Sequence, residues 1–245
     1  MTTSLTLWSL TKSKAMNRFE QRTTNNFYSD LQIDGEPYPI TGDRYRKPDF
    51  TQPRNEAANE SIRFATRKSF LGLILVAASE KGICAILLGD NAKHLVAELR
   101  SCFSKASLIA GDADFEETLV KVVRAVETPG SKLDLPIDLR GTELQRRVWQ
   151  ALREIPAGAT ATYKEIAAKI GMSTTAQEVG EACAANALAV VVPCHRVVRT
   201  DRSLAGYRWG INRKRALLQK EQEASPEPGT LFHATARYRV VSSAD

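Results

Sequence analysis

The chain has 245 residues, of which 43% are hydrophobic and 25% charged, enough for a sizeable core in one large or two small domains. Its longest apolar runs, "LGLILVAA" and "LAVVV", fall far short of the ~20 residues that cross a bilayer, and the N-terminus lacks a charged stretch followed by a long apolar core. A membrane partner and secretion are therefore not expected, and the cytoplasm or a nucleoid-like compartment is. The formal net charge of +6 is concentrated: Arg140 to Glu223 holds 14 of the 34 lysines and arginines but only 8 of the 28 acids, and the remainder is balanced. A basic segment beside a neutral one suits a polyanion partner, although a solvated basic face has the same signature. Cys84, Cys102, Cys183 and Cys194 are scattered without a C-x-x-C pair, so neither a disulfide framework nor a metal site is expected.

Residues 1–57 are polar, lack periodicity and read as a loosely ordered leader. From Ser61, "SIRFATRKS", "LGLILVAAS" and "GICAILLG" form an antiparallel meander. Asp90 caps a helix through "NAKHLVAELRSCF", and "DADFEETLVKVVRAVE" repeats its apolar residues at three and four, as a second helix does. These elements make a small α/β subdomain over 58–136. The following region, 137–223, is mostly helical, so the fold class is α+β.

Leu133 to Leu139 alternates like a strand. Thr142 caps a helix whose apolar face is Leu144, Val148, Leu152 and Ile155 and which ends before Pro156. "TYKEIAAKIG" is a short helix stopped at Gly171, and Ser173 or Thr174 starts another through "TTAQEVGEACAANA". Two short helices with a glycine-containing turn match a helix-turn-helix, although any helical hairpin reads the same way. Asn212 caps a last, basic helix, and residues 224–245 read as a mobile tail, with "ARYRVV" able to form a short strand.

Between those helices lies "LAVVVPCHRVV", in which a thiol, an imidazole and a guanidinium interrupt a buried strand. A free cysteine is only a few per cent thiolate at neutral pH, so a nucleophilic Cys194 needs a base or a positive field that ionises it. On an extended strand Cys194 and His195 point to opposite faces, so contact requires a bend or a bridging water. Pro193, which fixes φ and donates no hydrogen bond, can supply the bend. A cysteine in an apolar run is also an ordinary core residue.

"VPCHRVV", preceded by Asn186 in "ACAAN" and followed by "GYRWGINRKRALLQKE", resembles the active-site signature of the O6-alkylguanine-DNA alkyltransferases, the methylated-DNA–protein-cysteine methyltransferases. The resemblance runs from about Ser61 to Glu223 and is nearest the C-terminal part of the bacterial adaptive-response (Ada) members. It implies a ribonuclease-H-like N-terminal subdomain and a helical alkyltransferase domain. It also implies a single-turnover repair reaction on O6-methylguanine, and on O4-methylthymine, flipped from double-stranded DNA, by a monomer without a cofactor.

Carried residue by residue, the resemblance makes Cys194 the alkyl acceptor. His195, through a water, takes its proton, and Glu221 holds the imidazole. Tyr163 hydrogen-bonds the departing guanine, Lys214 lies near the pocket, and Asn186 is the hinge between recognition helix and active site. Pro193, Tyr207, Arg208 and Trp209 belong to the substrate pocket, with Trp209, where some relatives have glycine, favouring methyl over bulky groups. Gln177, Ala176, Gly180 and Arg196 are assigned to DNA binding. Gln177 stands where relatives place an intruding arginine, and Glu178 and Glu181 beside it face a polyanion unfavourably. Residues 1–57 hold no cysteine, so the phosphotriester-sensing zinc domain of the longer members has no counterpart there, and a shortened chain is implied. Three competing readings are an alkylated-DNA-binding protein without transfer activity, a transcriptional regulator, and a cysteine hydrolase with turnover.

Overall fold

The computed structural model describes residues 60–171 and 173–224, together with a two-strand hairpin of Gln32–Ile33 (β1) and Glu36–Pro37 (β2). Most of the leader and all of the tail beyond residue 224, including "ARYRVV", lie outside the described residues.

The meander forms as its sequence dictates. Strands Ser61–Ser69 (β3), Gly72–Ser79 (β4) and Gly82–Gly89 (β5) pair antiparallel, with Phe64 opposite Ala77 and Val76 opposite Ile86. Two-residue turns join them, and the β4–β5 register shifts once, at a bulge between Ala77 and Ala78. Helices Ala92–Cys102 (α1) and Ala113–Glu127 (α2) pack on the sheet through Leu95 and Leu99, and through Phe115, Leu119 and Val122. The α1 cap is Asn91, whose side chain accepts from the Lys93 and His94 amides, rather than Asp90. Asp90 instead accepts a hydrogen bond from Arg213 of the last helix at 2.6 Å. A further strand, Ser107–Ala110 (β6), which sequence periodicity does not reveal, runs parallel to β3 and gives the order β5-β4-β3-β6.

That order leaves the outer edge of β5 open, and two later segments close it. Ile83 exchanges hydrogen bonds with Pro136 and Asp138, both at 2.9 Å, and Ile86 does so with Ala187 and Ala189, at 2.8 and 3.0 Å. The strand expected over Leu133 to Leu139 is thus one bridge at Ile137. Pro136 has no amide to donate and interrupts the alternation. Arg140 ends this linker in a buried cluster with Glu60 and Asp138, and Asp138 also accepts from Ser79 Oγ at 2.6 Å.

In the second half, three helices start on complete capping boxes: Glu143–Arg153 (α3) on Thr142 and Gln145, Tyr163–Ile170 (α4) on Thr162 and Glu165, and Ala176–Ala184 (α5) on Thr175 and Glu178. The α5 cap is Thr175, whose side chain accepts from the Glu178 amide, rather than Ser173 or Thr174. Helices α4 and α5 pack together, and the Trp149 indole of α3 donates to the Ala182 carbonyl at 2.8 Å. The last helix, Ile211–Ala224 (α6), begins before Asn212, so Asn212 lies in its first turn rather than at its cap. Two-residue strands Ala161–Thr162 (β7) and Val197–Val198 (β8) pair in parallel, fixing the start of α4 beside the Cys-His segment. Among the described residues, no helix is long and apolar enough to cross a membrane.

Candidate active site

The segment from Leu188 to Val198 is not a continuous strand. Beyond the bridge at Leu188 the chain turns, with Val190 at φ 67°, a conformation that costs a β-branched residue energy. Asn186 holds the turn: its Nδ2 donates to the Val192 carbonyl at 2.9 Å, and its Oδ1 accepts from the Leu188 amide at 2.8 Å. Cys194–Arg196 then forms one turn of 3-10 helix following Pro193. The chain thus bends directly after Pro193 instead of continuing as an extended strand.

Cys194 is 4% exposed, and its Sγ accepts from Asn186 Nδ2 at 3.3 Å. Burial raises the thiol pKa above its ordinary value, and the Asn186 hydrogen bond with the charges of Lys214 and Arg208 offsets this only in part. Burial thus disfavours the thiolate, and the positive groups nearby do not by themselves reverse that.

Behind it lies a buried polar cluster. His195 is fully enclosed, and its Nε2 lies 2.8 Å from Glu221 Oε1. The imidazole Nδ1 has no protein hydrogen-bond partner. Glu221 also accepts from Arg196, whose Nη2 lies at 2.8 Å and Nε at 3.1 Å from the carboxylate, and from the Gly158 amide at 3.2 Å. Gly158 reaches it from a turn at φ 80°, which favours glycine. Burial alone would raise the Glu221 carboxyl, but His195 and Arg196 hold it down to about 2. Burial pushes the His195 imidazole down. The cluster therefore pairs an ionised carboxylate with an imidazole that burial biases toward its neutral form. Its Nε2 proton then faces Glu221, which leaves Nδ1 as the basic nitrogen.

Cys194 opens on a cavity of about 10 Å³ lined by Tyr163, Gly180, Cys183, Ala184, Gly206, Tyr207 and Arg208. That is room for about one water, far below the ~300 Å³ where small-molecule sites begin. The expected base-sized opening is closed in this conformation. Tyr163 is placed there as the first residue of α4, and Gly180 lies along α5. The Tyr207 hydroxyl is buried without a protein partner, and its ring packs edge-on against both His195 and Trp209. Lys214 is also fully buried, so a merely solvated cation is excluded. It donates to the Val197 carbonyl at 2.6 Å, and burial pushes its pKa down to about 8.

Four expectations change. Pro193 does not line this cavity; with Arg196 and Glu221 it borders a separate cleft of about 680 Å³ behind the segment. Trp209 does not line the Cys194 cavity either, but packs against two residues that do, Tyr207 and Arg208, whose guanidinium lies 5.7 Å from its ring. Arg196 is turned inward onto Glu221 and the Ile155 carbonyl, so it is not a free cation for a phosphate. Glu178 spends its carboxylate on Thr175 at the helix start, and Glu181 accepts from the exposed Gln177 at 3.1 Å. Ala176 is half-buried at the start of α5. The Glu221 clamp by Arg196 was missed because its partners lie 25 and 41 residues away, and no local pattern encodes that distance.

The description "6-O-methylguanine DNA methyltransferase, ribonuclease-like domain" matches residues 62–139, and "6-O-methylguanine DNA methyltransferase, DNA binding domain" matches 143–223. The bifunctional transcriptional activator/DNA repair enzyme Ada of Escherichia coli is 44% identical over 192 residues, which are 76% of this chain and 54% of Ada. This chain thus spans about half the length of that relative. A methylated-DNA–protein-cysteine methyltransferase of Candida albicans is 39% identical, over 61% of this chain and 89% of its own. The structure of Mycobacterium tuberculosis OGT in complex with DNA superposes with a TM-score of 0.51 at 32% identity, covering 67% of this chain and 94% of that one. With a relative matched over nearly its whole length and both halves of the fold recognised, the chain belongs to the 6-O-methylguanine DNA methyltransferase family.

Proposed function

We propose that this chain repairs DNA by direct reversal, moving the alkyl group of an O6-alkylguanine irreversibly onto Cys194. The observation that carries this reading is the Cys194 thiol facing a cavity walled by Tyr163, with a His195–Glu221 pair packed behind the same turn. Each group then has a role. His195 Nδ1, the nitrogen left free by Glu221, accepts the Cys194 proton through one water as the sulfur attacks the alkyl carbon. A sulfur–carbon bond forms, the carbon–O6 bond breaks, and its electron pair passes to the guanine. The Tyr163 hydroxyl supplies a hydrogen bond to the purine as that charge develops. Asn186 positions the sulfur, and the buried ammonium of Lys214 offsets the negative charge that passes through the site. A thioether is not cleaved by water under these conditions, so each molecule is consumed by one transfer.

The partner is duplex DNA. The relative solved with DNA and the basic character of residues 140–223 support this, and the exposed side of α5 carrying Gln177 is the face we assign to it. Base entry requires the closed cavity to widen, in step with extrusion of the nucleotide. The test is incubation with a duplex bearing one O6-methylguanine, followed by intact-mass measurement and peptide mapping. The expected result is one methyl group on Cys194, with no turnover and none in Cys194→Ala. Methylation elsewhere, or repeated turnover, overturns the reading.

A further inference from the structure

Arg208 belongs to the cavity in front of Cys194, yet its guanidinium is held from the other half of the molecule. Its Nε donates to Glu98 Oε1 at 2.9 Å, and its Nη2 lies 2.8 Å from the same oxygen and 3.5 Å from Cys102 Sγ. Glu98 and Cys102 are one turn apart on α1, so a single face of that helix receives the side chain. The remaining nitrogen, Nη1, donates to the Asn186 carbonyl at 3.0 Å and the Ala184 carbonyl at 3.4 Å. All three guanidinium nitrogens are engaged, and the side chain is 8% exposed.

With its guanidinium so committed, Arg208 is a fixed part of the cavity lining, because turning the side chain aside leaves a buried cation without its counter-charge and two carbonyls without donors. The connection continues to the sulfur: Arg208 binds the Asn186 backbone, and the Asn186 side chain donates to Cys194. Trp209 supports the guanidinium from behind rather than meeting the cavity.

We propose that Glu98 is a positioning residue of the alkyl-acceptor site: by fixing Arg208 it sets the width of the cavity before Cys194 and so limits the size of alkyl group accepted. This rests on the repair reading for its biological meaning, but the wall itself can be tested without DNA. The ribonuclease-like half thereby contributes a specificity-determining contact to a thiol on the other half.

The experiment is a double-mutant cycle with Glu98→Gln, Arg208→Met, which keeps much of the side-chain volume, and the pair. Two ratios are read at the Cys194 peptide: transfer from O6-benzylguanine against O6-methylguanine in duplex DNA, and labelling by N-phenylmaleimide against iodoacetamide without DNA. Each single substitution is expected to raise both ratios about tenfold, the low end of what one pocket contact contributes to discrimination. The double variant should match Arg208→Met alone, because Glu98 acts only through Arg208. Unchanged ratios overturn the proposal, as do singles whose effects multiply in the pair. If the unsubstituted chain takes no alkyl group from either duplex, the repair reading fails while the maleimide ratio still decides the role of Glu98.

Discussion

The Lys214 ammonium donates to the Val197 carbonyl at 2.6 Å from a position with no solvent exposure. An ammonium taken out of water holds its proton less firmly, and burial pushes this one down to about 8 from 10.5. Between those values the unfolded chain binds more protons than the folded one, so this residue's contribution to stability rises with pH across that window. Relative to Lys214→Met, the unsubstituted protein should gain about 2 kcal/mol between pH 8 and 9.5. Urea unfolding of both proteins at the two pH values measures this, and parallel pH profiles would show that Lys214 is not titrating in the interior.

Glu221 joins His195, Arg196 and the Gly158 amide, so its removal has two effects. Glu221→Gln leaves Arg196 without its counter-ion and should cost about 3 kcal/mol at pH 7. The carboxyl, held down to about 2, contributes stability that is complete above about 4.5 and lost as the pH falls toward 2. The gap between the proteins should therefore narrow in acid. The same substitution should slow transfer to Cys194 by about a hundredfold, the usual scale for disturbing a general base. Denaturation and single-turnover kinetics on the same samples check both effects.

Gln177 is exposed but bonded to Glu181 along α5. On the repair reading, Gln177→Arg adds a cation to the face assigned to DNA and should accelerate repair of duplex substrate about tenfold, while reaction with free O6-benzylguanine stays within about twofold. Glu181→Gln added to it should give a further gain by releasing the new side chain. Equal acceleration of both substrates would show that the residue acts on the thiol rather than on DNA.

The linker cluster is separate from the chemistry. Arg140 neutralises Glu60 and Asp138 where β5 meets the linker, and its side chain is 8% exposed. Arg140→Leu leaves two acids facing each other and should cost about 3 kcal/mol of stability. The rate of Cys194 alkylation per folded molecule, measured by titration with labelled substrate, should not change.

The parts of this fold that the sequence announces are those held by local rules. Strands β4 and β5 read as continuous apolar runs separated by a two-residue turn, and Thr142 and Thr162 announce their helices through a Gln or Glu three residues on. Strand β6 escaped because "SLIA" is too short to show a period and is ordered by its pairing with β3. The site divides in the same way. The bend after Pro193 follows from proline chemistry, which is local. That Arg196 faces inward, that Lys214 is enclosed and that Trp209 stands behind a wall depend on packing between segments far apart in the chain, which a stretch of letters does not encode.

The closed cavity also has a chemical consequence. A sulfur whose burial disfavours the thiolate, with room for about one water beside it, reacts slowly with dissolved electrophiles and oxidants. On the proposed single-turnover repair, shelf life matters as much as speed. On that same reading, keeping the nucleophile shut away until a damaged nucleotide forces the walls apart preserves each molecule for its lesion.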